Sequence, residues 1–253
     1  MRVTFLGSGT SQGVPVIACH CKVCSSNDSR NKRLRSSVMI EWKDKVIVID
    51  SGPDFRYQML REKVQQLDAI LFTHEHKDHV AGLDDVRAFN FKHDREIDIY
   101  AEDRVQKALK NEFSYIFSGV QYPGIPRVIM HKIQNTLFNV QGVDVLPIRA
   151  MHFKLPVYGF RIGDFTYITD AKTIEEEELE KIKGSKILVL NALRREEHIS
   201  HFTLEEAIAL AQKLQIPNTY FTHISHQLGE HEAVSKELPT GIHLAYDGLK
   251  IDM

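Results

Sequence analysis

Thr73-His74-Glu75-His76-Lys77-Asp78-His79 decides how this chain is read. The apolar run Ala69-Ile70-Leu71-Phe72 stands directly before it and predicts a short buried strand. Three histidines and one aspartate therefore fall within six residues, just past a strand end. Loops in that position often carry chemistry, because the strand behind them is rigid. Neutral imidazole and carboxylate are ligand types that suit zinc, manganese or iron. A solvated polar loop that merely happens to be rich in histidine accounts poorly for four ligand-type side chains at this density.

Working outward, further candidates share the same setting. His152 follows a predicted strand over Val143–Ala150, Asp170 follows one over Phe165–Thr169, and His223 follows one over Asn218–Phe221. A lone histidine after a strand is usually a surface or satisfied core residue. Several at equivalent strand ends point to one shared site. Asp50 closes a predicted strand over Val46–Asp50 and is read as a residue that orients a ligand. His20, His93, His131, His198, His231 and His243 lack such context and receive no role.

The chain's three cysteines, Cys19, Cys21 and Cys24, form C-x-C-x2-C. An odd count at this spacing argues for a metal rather than disulfides. A closed structural zinc site needs a fourth ligand, and His226, three residues past His223, can supply it. The bland alternative is three reduced, partly buried thiols.

Strand hairpins followed by strand-to-helix alternation occur twice along the chain. The pattern predicts an α/β (α+β) chain with two sheets face to face and helices outside, a four-layer αββα sandwich. Ser37–Trp42 and Val46–Asp50 form one hairpin, and Tyr158–Ile162 and Phe165–Thr169 another. Helices are expected over 55–64, 80–91, 104–117, 174–182 and 204–214, the last opened by Thr203 with Glu206 completing a capping box. No linker or low-complexity stretch interrupts residues 1–253, so one domain is expected.

Composition excludes several classes. The 253 residues are 43% hydrophobic and 26% charged, ordinary for a globular chain, and net charge is −2. No global basic field attracts nucleic acid or an anionic membrane. No apolar run approaches the ~20 residues of a membrane span. The first residues enter a strand without the apolar core of a signal peptide, so a cytoplasmic location is expected.

T-H-x-H-x-D-H after a strand resembles the metallo-β-lactamase superfamily of dinuclear metal hydrolases. That resemblance implies two catalytic divalent ions, manganese or zinc or else iron. His74, His76 and His152 would hold one ion, and Asp78, His79 and His223 the other. Asp170 would bridge them, and the pair would share an activated hydroxide. Asp78 is then a ligand that also belongs to the catalytic apparatus. The cysteine motif, His152-Phe153-Lys154-Leu155, Thr222-His223-Ile224-Ser225-His226-Gln227 and Tyr246-Asp247-Gly248-Leu249-Lys250-Ile251 narrow the likeness to the PhnP family of phosphoribosyl cyclic phosphodiesterases. This implies a structural zinc on Cys19, Cys21, Cys24 and His226, and a phosphate-directed catalytic role for His201. Segment 103–127 has no counterpart in the likeness.

The leading expectation is a phosphodiesterase for a small cyclic or nucleotide-like phosphodiester, with a homodimer possible by family likeness. Two alternatives stay open. One is a tRNA 3′-processing nuclease, disfavoured because no long basic insertion is present to grip nucleic acid. The other is a PqqB-like carrier without catalysis, which shares the cysteine pattern but does not need seven catalytic ligands.

Overall fold

Val46-Ile47-Val48-Ile49 and Ile187-Leu188-Val189-Leu190 show no polar alternation, the mark of strands covered on both faces. In the computed structural model, which describes residues 1–119 and 122–253, both runs lie inside seven-stranded sheets. The first sheet contains β1 (Arg2–Gly7), β2 (Ser37–Trp42), β3 (Lys45–Ile49), β4 (Ala69–Leu71), β5 (Ile97–Ala101) and β6 (Val128–Lys132). The second contains β7 (Phe138–Val140), β8 (Val143–His152), β9 (Leu155–Ile162), β10 (Phe165–Tyr167), β11 (Ile187–Asn191), β12 (Asn218–Thr222) and β13 (Ile242–Leu244). β14 (Lys250–Asp252) returns to pair with β1, giving the order β14-β1-β2-β3-β4-β5-β6. The second sheet runs β13-β12-β11-β10-β9-β8-β7.

Alternation within each strand separates the layers. Val38, Ile40, Ile47, Ile49 and Leu71 meet Tyr158, Phe160, Phe165, Tyr167 and Val189 in the core between the sheets. Met39, Val48 and Ile70 face the other way. They are covered by α1 (Phe55–Arg61), α3 (Arg87–His93) and α4 (Asp103–Glu112) through Phe55, Met59, Phe89, Val105 and Leu109. Leu188 and Leu190 are covered in the same manner by α6 (Glu176–Ile182) and α7 (Leu204–Leu214). The arrangement is the expected αββα sandwich. Short helices α2 (Lys77–Val80), α5 (Ser114–Phe117) and α8 (His231–Ser235) complete the order.

Parallel pairing runs from β3 through β6 and from β10 through β13. Their carboxyl ends carry Asp50, the Thr73–His79 loop, Asp170 and His223. Open parallel arrangements place ligands at such ends.

Some boundaries differ from expectation. The helix expected over 80–91 divides into a 3-10 turn at Leu83–Val86 and α3, because Gly82 makes a close backbone approach there. A Cβ on Gly82 would lie 2.1 Å from the Gly52 carbonyl oxygen. The helix expected over 104–117 breaks at Phe113, where φ is −107° and ψ 43°. β8 extends to include His152, which is thus the last residue of a strand rather than part of a loop. α7 spans the expected residues, and Thr203 and Glu206 form the capping box. Residues 120 and 121, within segment 103–127, lie outside the described residues.

Candidate metal centre

The centre is assembled around Asp50. Its carboxylate is fully buried and accepts from the Thr73 N–H at 2.9 Å and the Thr73 hydroxyl at 2.8 Å. It also takes His79 Nδ1 at 2.7 Å. This fixes the His79 ring and turns Nε2 toward Asp78 Oδ2 at 3.1 Å and Asp170 Oδ2 at 3.2 Å. The turn after Asp50 is held against α2 by Ser51 N–H to the His79 carbonyl at 2.8 Å. Only glycine fits at position 52, since a Cβ there would meet the Asp78 carbonyl oxygen at 2.0 Å.

Two other histidines are oriented in the same way. His74 Nδ1 lies 2.9 Å from the Thr73 hydroxyl, whose hydrogen is committed to Asp50. The imidazole therefore donates there and its Nε2 is bare, facing His76 Nδ1 at 3.0 Å. His152 Nδ1 donates to the Ser200 carbonyl at 3.0 Å, so its Nε2 is bare as well. The His152 ring lies 5.8 Å from that of His74 and 5.2 Å from that of His76. Asp170 joins the halves: Oδ1 is 3.1 Å from both His223 Nε2 and His201 Nε2, and Oδ2 is the atom beside His79.

The donor set fits divalent cations. His79 Nε2 and His223 Nε2 lie 3.1–3.2 Å from carboxylate oxygens of Asp78 or Asp170 without hydrogen-bond geometry, and buried His223 Nδ1 has no hydrogen-bond partner among the described residues. Asp78, His79, Asp170 and His223 offer ligand atoms within 4.8 Å of one another, as do His152, Asp170 and His201. Orienting a ligand histidine through its other nitrogen is how metal sites fix tautomer and direction. Asp50, Asp170 and His223 hold φ of 64°, 55° and 55°. Non-glycine residues seldom adopt this region, and such strain gathers at functional sites.

Electrostatics agree. Burial opposes charge on His79, yet Asp78, Asp170 and Asp50 together hold it well above the usual imidazole range. Burial likewise works against His223, and the Asp170 and Asp78 carboxylates outweigh it, raising its pKa to about 9. Asp170 is buried too, and His223 and His79 keep it well below the carboxylate range. By contrast, burial drives His74 well below 6.5. The carboxylates demand positive charge, which protons supply in the metal-free chain and cations otherwise. The folded pKa of His223 exceeds its unfolded value of 6.5, so its stabilisation is full below 6.5 and lost as pH rises through about 9. Chelated protein is thus expected to lose thermal stability across that interval, while metal-loaded protein does not. Melting curves of both forms from pH 6 to 10 check this.

The cysteines and His226 also come together. Cys19 Sγ and Cys21 Sγ lie 3.3 Å from His226 Nδ1, and Cys24 Sγ 3.5 Å. Val14 and Val23 pack around them. The Cys24 N–H, then His226, pull the Cys21 thiol down to about 6, whereas burial pushes Cys24 up to about 11. Four convergent soft and borderline donors match a closed tetrahedral zinc site.

His201, read from sequence as a rim residue directed at phosphate, is buried against Asp170 rather than left as an exposed loop histidine, with its ring 4.6 Å from His152 and 4.8 Å from His223. His198, given no role from sequence, faces it: the two Nδ1 atoms are 3.0 Å apart. The Ser200 hydroxyl is 3.1 Å from the same nitrogen of His201. The available signal was the His198-x-x-His201 spacing, which carries little weight in a loop.

Two stacked sheets with buried histidines and carboxylates at the ends of their parallel strands define a metal-dependent hydrolase of the metallo-β-lactamase class. A family model described as a beta-lactamase superfamily domain matches residues 45–224. A crystal structure described as a new diphosphatase from the PhnP family has a TM-score of 0.93 and 42% identity, covering 100% of this chain and 97% of that one. The chain belongs to the metallo-β-lactamase superfamily and, within it, to the PhnP family. An octanoyltransferase of Porphyromonas gingivalis is 42% identical over 253 residues, which are 99% of this chain and 51% of that protein. The chain thus spans about half the length of this curated relative. The zinc-bound PqqB of Methylobacterium extorquens, at 20% identity and a TM-score of 0.82 over 100% of each chain, shares the fold.

Proposed function

We propose that the chain hydrolyses a small phosphodiester of cyclic or nucleotide-like type at a two-cation centre on Asp170. One observation carries the reading: a single buried carboxylate is shared between His79, His223 and His201, with bare His74 and His152 nitrogens turned into the same cluster. His74, His76 and His152 would hold one cation, and Asp78, His79 and His223 the other, with Asp170 common to both. When bound, two divalent ions supply a water activated near neutral pH and offset charge on the attacked group. The diphosphatase description of the PhnP-family structure supports phosphoryl chemistry.

His201 is assigned to hold the phosphoryl group. Burial pulls its pKa to about 4, so at neutral pH it is uncharged. His198 and the Ser200 hydroxyl can each donate to its Nδ1, leaving the Nε2 hydrogen for Asp170 Oδ1 or a phosphoryl oxygen. This setting favours holding a phosphoryl oxygen over protonating a leaving oxygen. His201→Ala is therefore expected to lower kcat/KM by roughly 10²–10⁴-fold. The factor should be similar for alkyl and nitrophenyl leaving groups, with both metals retained. A loss confined to alkyl leaving groups would instead mark a general acid. Kinetics on the two substrates, with metal analysis, check it.

Acyl transfer through a thiol is not proposed for this chain. All three of its cysteines converge on His226, which leaves no separate nucleophilic thiol. The direct test of the function is turnover of a ribose cyclic phosphate by metal-loaded protein, abolished by chelation and restored by metal. Failure with every phosphodiester offered, at full metal loading, would overturn the reading.

A further inference from the structure

We infer that Phe153 and Lys154 form a subsite for a flat ring, so that the phosphoester cleaved beside Asp170 carries a nucleobase-like group. The inference rests on the phosphodiesterase reading above and adds the group that the enzyme recognises next to the phosphate.

The backbone gives the first reason. β8 and β9 pair up to His152↔Leu155, so Phe153-Lys154 alone closes the hairpin. Two-residue hairpin loops need positive φ, which glycine, asparagine and aspartate supply at least cost. Three other two-residue hairpin loops among the described residues, Lys43-Asp44, Gln141-Gly142 and Gly163-Asp164, also use positive φ, and each contains a glycine or an aspartate, whereas Phe153-Lys154 contains neither. At Phe153 φ is +57°, a conformation in which a bulky side chain is strained. Core packing does not offset the strain, because Phe153 is 50% exposed. An aromatic ring is thus kept in solvent, in a conformation suited to glycine, one residue beyond His152. Lys43 and Gln141 hold a similar φ at the same turn position, so what sets Phe153 apart is a large apolar ring left in solvent beside His152, which points to use by a ligand.

Chemistry gives the second. The Lys154 ammonium lies 5.3 Å over the Phe153 ring and forms no ion pair among the described residues. Ile199, which precedes the Ser200 carbonyl that binds His152, is 64% exposed. Two large apolar side chains are thus left open within one residue of the contact that sets His152. A half-exposed aromatic ring with a lysine over one face suits a π-ring joined to a phosphate, as in stacking of single bases on protein aromatics.

Adenosine 2′,3′-cyclic phosphate and methyl riboside 2,3-cyclic phosphate differ only in the base and isolate it. Phe153→Ala should lower kcat/KM on the adenosine compound on the order of 10–100-fold. It should leave the methyl riboside within about twofold, since the reacting groups are untouched. Phe153→Tyr should retain the preference. Phe153→Gly should lose it without lowering the melting temperature, because glycine accepts this φ freely. Equal loss on both substrates, or no loss on the adenosine compound, overturns the subsite. If wild-type protein turns over neither compound, the phosphodiesterase reading fails by itself. Equilibrium dialysis of metal-loaded protein with AMP then decides the subsite: weaker AMP binding by Phe153→Ala supports it, and equal binding overturns it.

Discussion

Asp170→Asn is expected to lower turnover roughly 10³-fold or more, because one negative charge serves both halves of the centre. The residue is 2% exposed, and its carboxylate is hemmed by three imidazoles, at 3.1, 3.1 and 3.2 Å, and by the Thr169 hydroxyl at 2.7 Å. An amide keeps the shape and removes the charge. It also sets an N–H₂ group against imidazoles that themselves seek an acceptor. Both cations should weaken together. Asp78→Asn is the matched control, since its carboxylate lies beside His79 and His223, 3.1 and 3.8 Å from their Nε2 atoms. It should release mainly one equivalent. Metal analysis with steady-state kinetics on the two variants distinguishes them, and unchanged stoichiometry in both would contradict a shared carboxylate.

Cys21→Ser is expected to remove one further zinc equivalent and more than about 4 kcal/mol of stability, as loss of a structural metal does. The energetic argument follows from the shell around the thiols. Val14, Val23 and the cysteines themselves make up a small cluster, tied to neighbouring segments by the Val14–Arg33 backbone pair and by Lys32 donating to the Cys24 carbonyl, so a cation would carry much of the hold on residues 19–24. His226 stands three residues beyond His223, and Ile224 between them exchanges backbone hydrogen bonds with Ser8 and Thr10 at 2.9 and 3.1 Å. The cysteine loop thus braces the strand end that carries His223 without entering the catalytic cluster. Denaturant unfolding and zinc analysis check the prediction. The fraction that remains folded should keep its catalytic metals and most of its turnover.

Much of this architecture was legible in the residues. The candidate ligands stood out in the sequence because they crowd one loop, or because each follows a β-rich run, and the fold brings those runs to the same rim. The αββα layering could be read from hairpins followed by strand–helix alternation, and α7 from its capping box. Other features depend on contacts distant in sequence. The burial of His201 follows from Phe202 N–H bonding to the Ala171 carbonyl, which draws the loop onto the Asp170 strand end. The break at Gly82 follows from its contact with the Gly52 turn, thirty residues earlier. β7 and α8 are only 3 and 5 residues long, too short to show a period. Positive φ at Asp50, Asp170 and His223 is imposed by the strand ends and the cluster. Aspartate and histidine tolerate that region without announcing it.

Anomalous scattering from crystals of the metal-loaded protein tests the central claim most directly. The account predicts three peaks per chain. Two should flank the Asp170 carboxylate about 3.5–4 Å apart. The third should lie among Cys19, Cys21, Cys24 and His226. A single peak at Asp170 under saturating metal, with His74, His76 and His152 left without an ion, would contradict it.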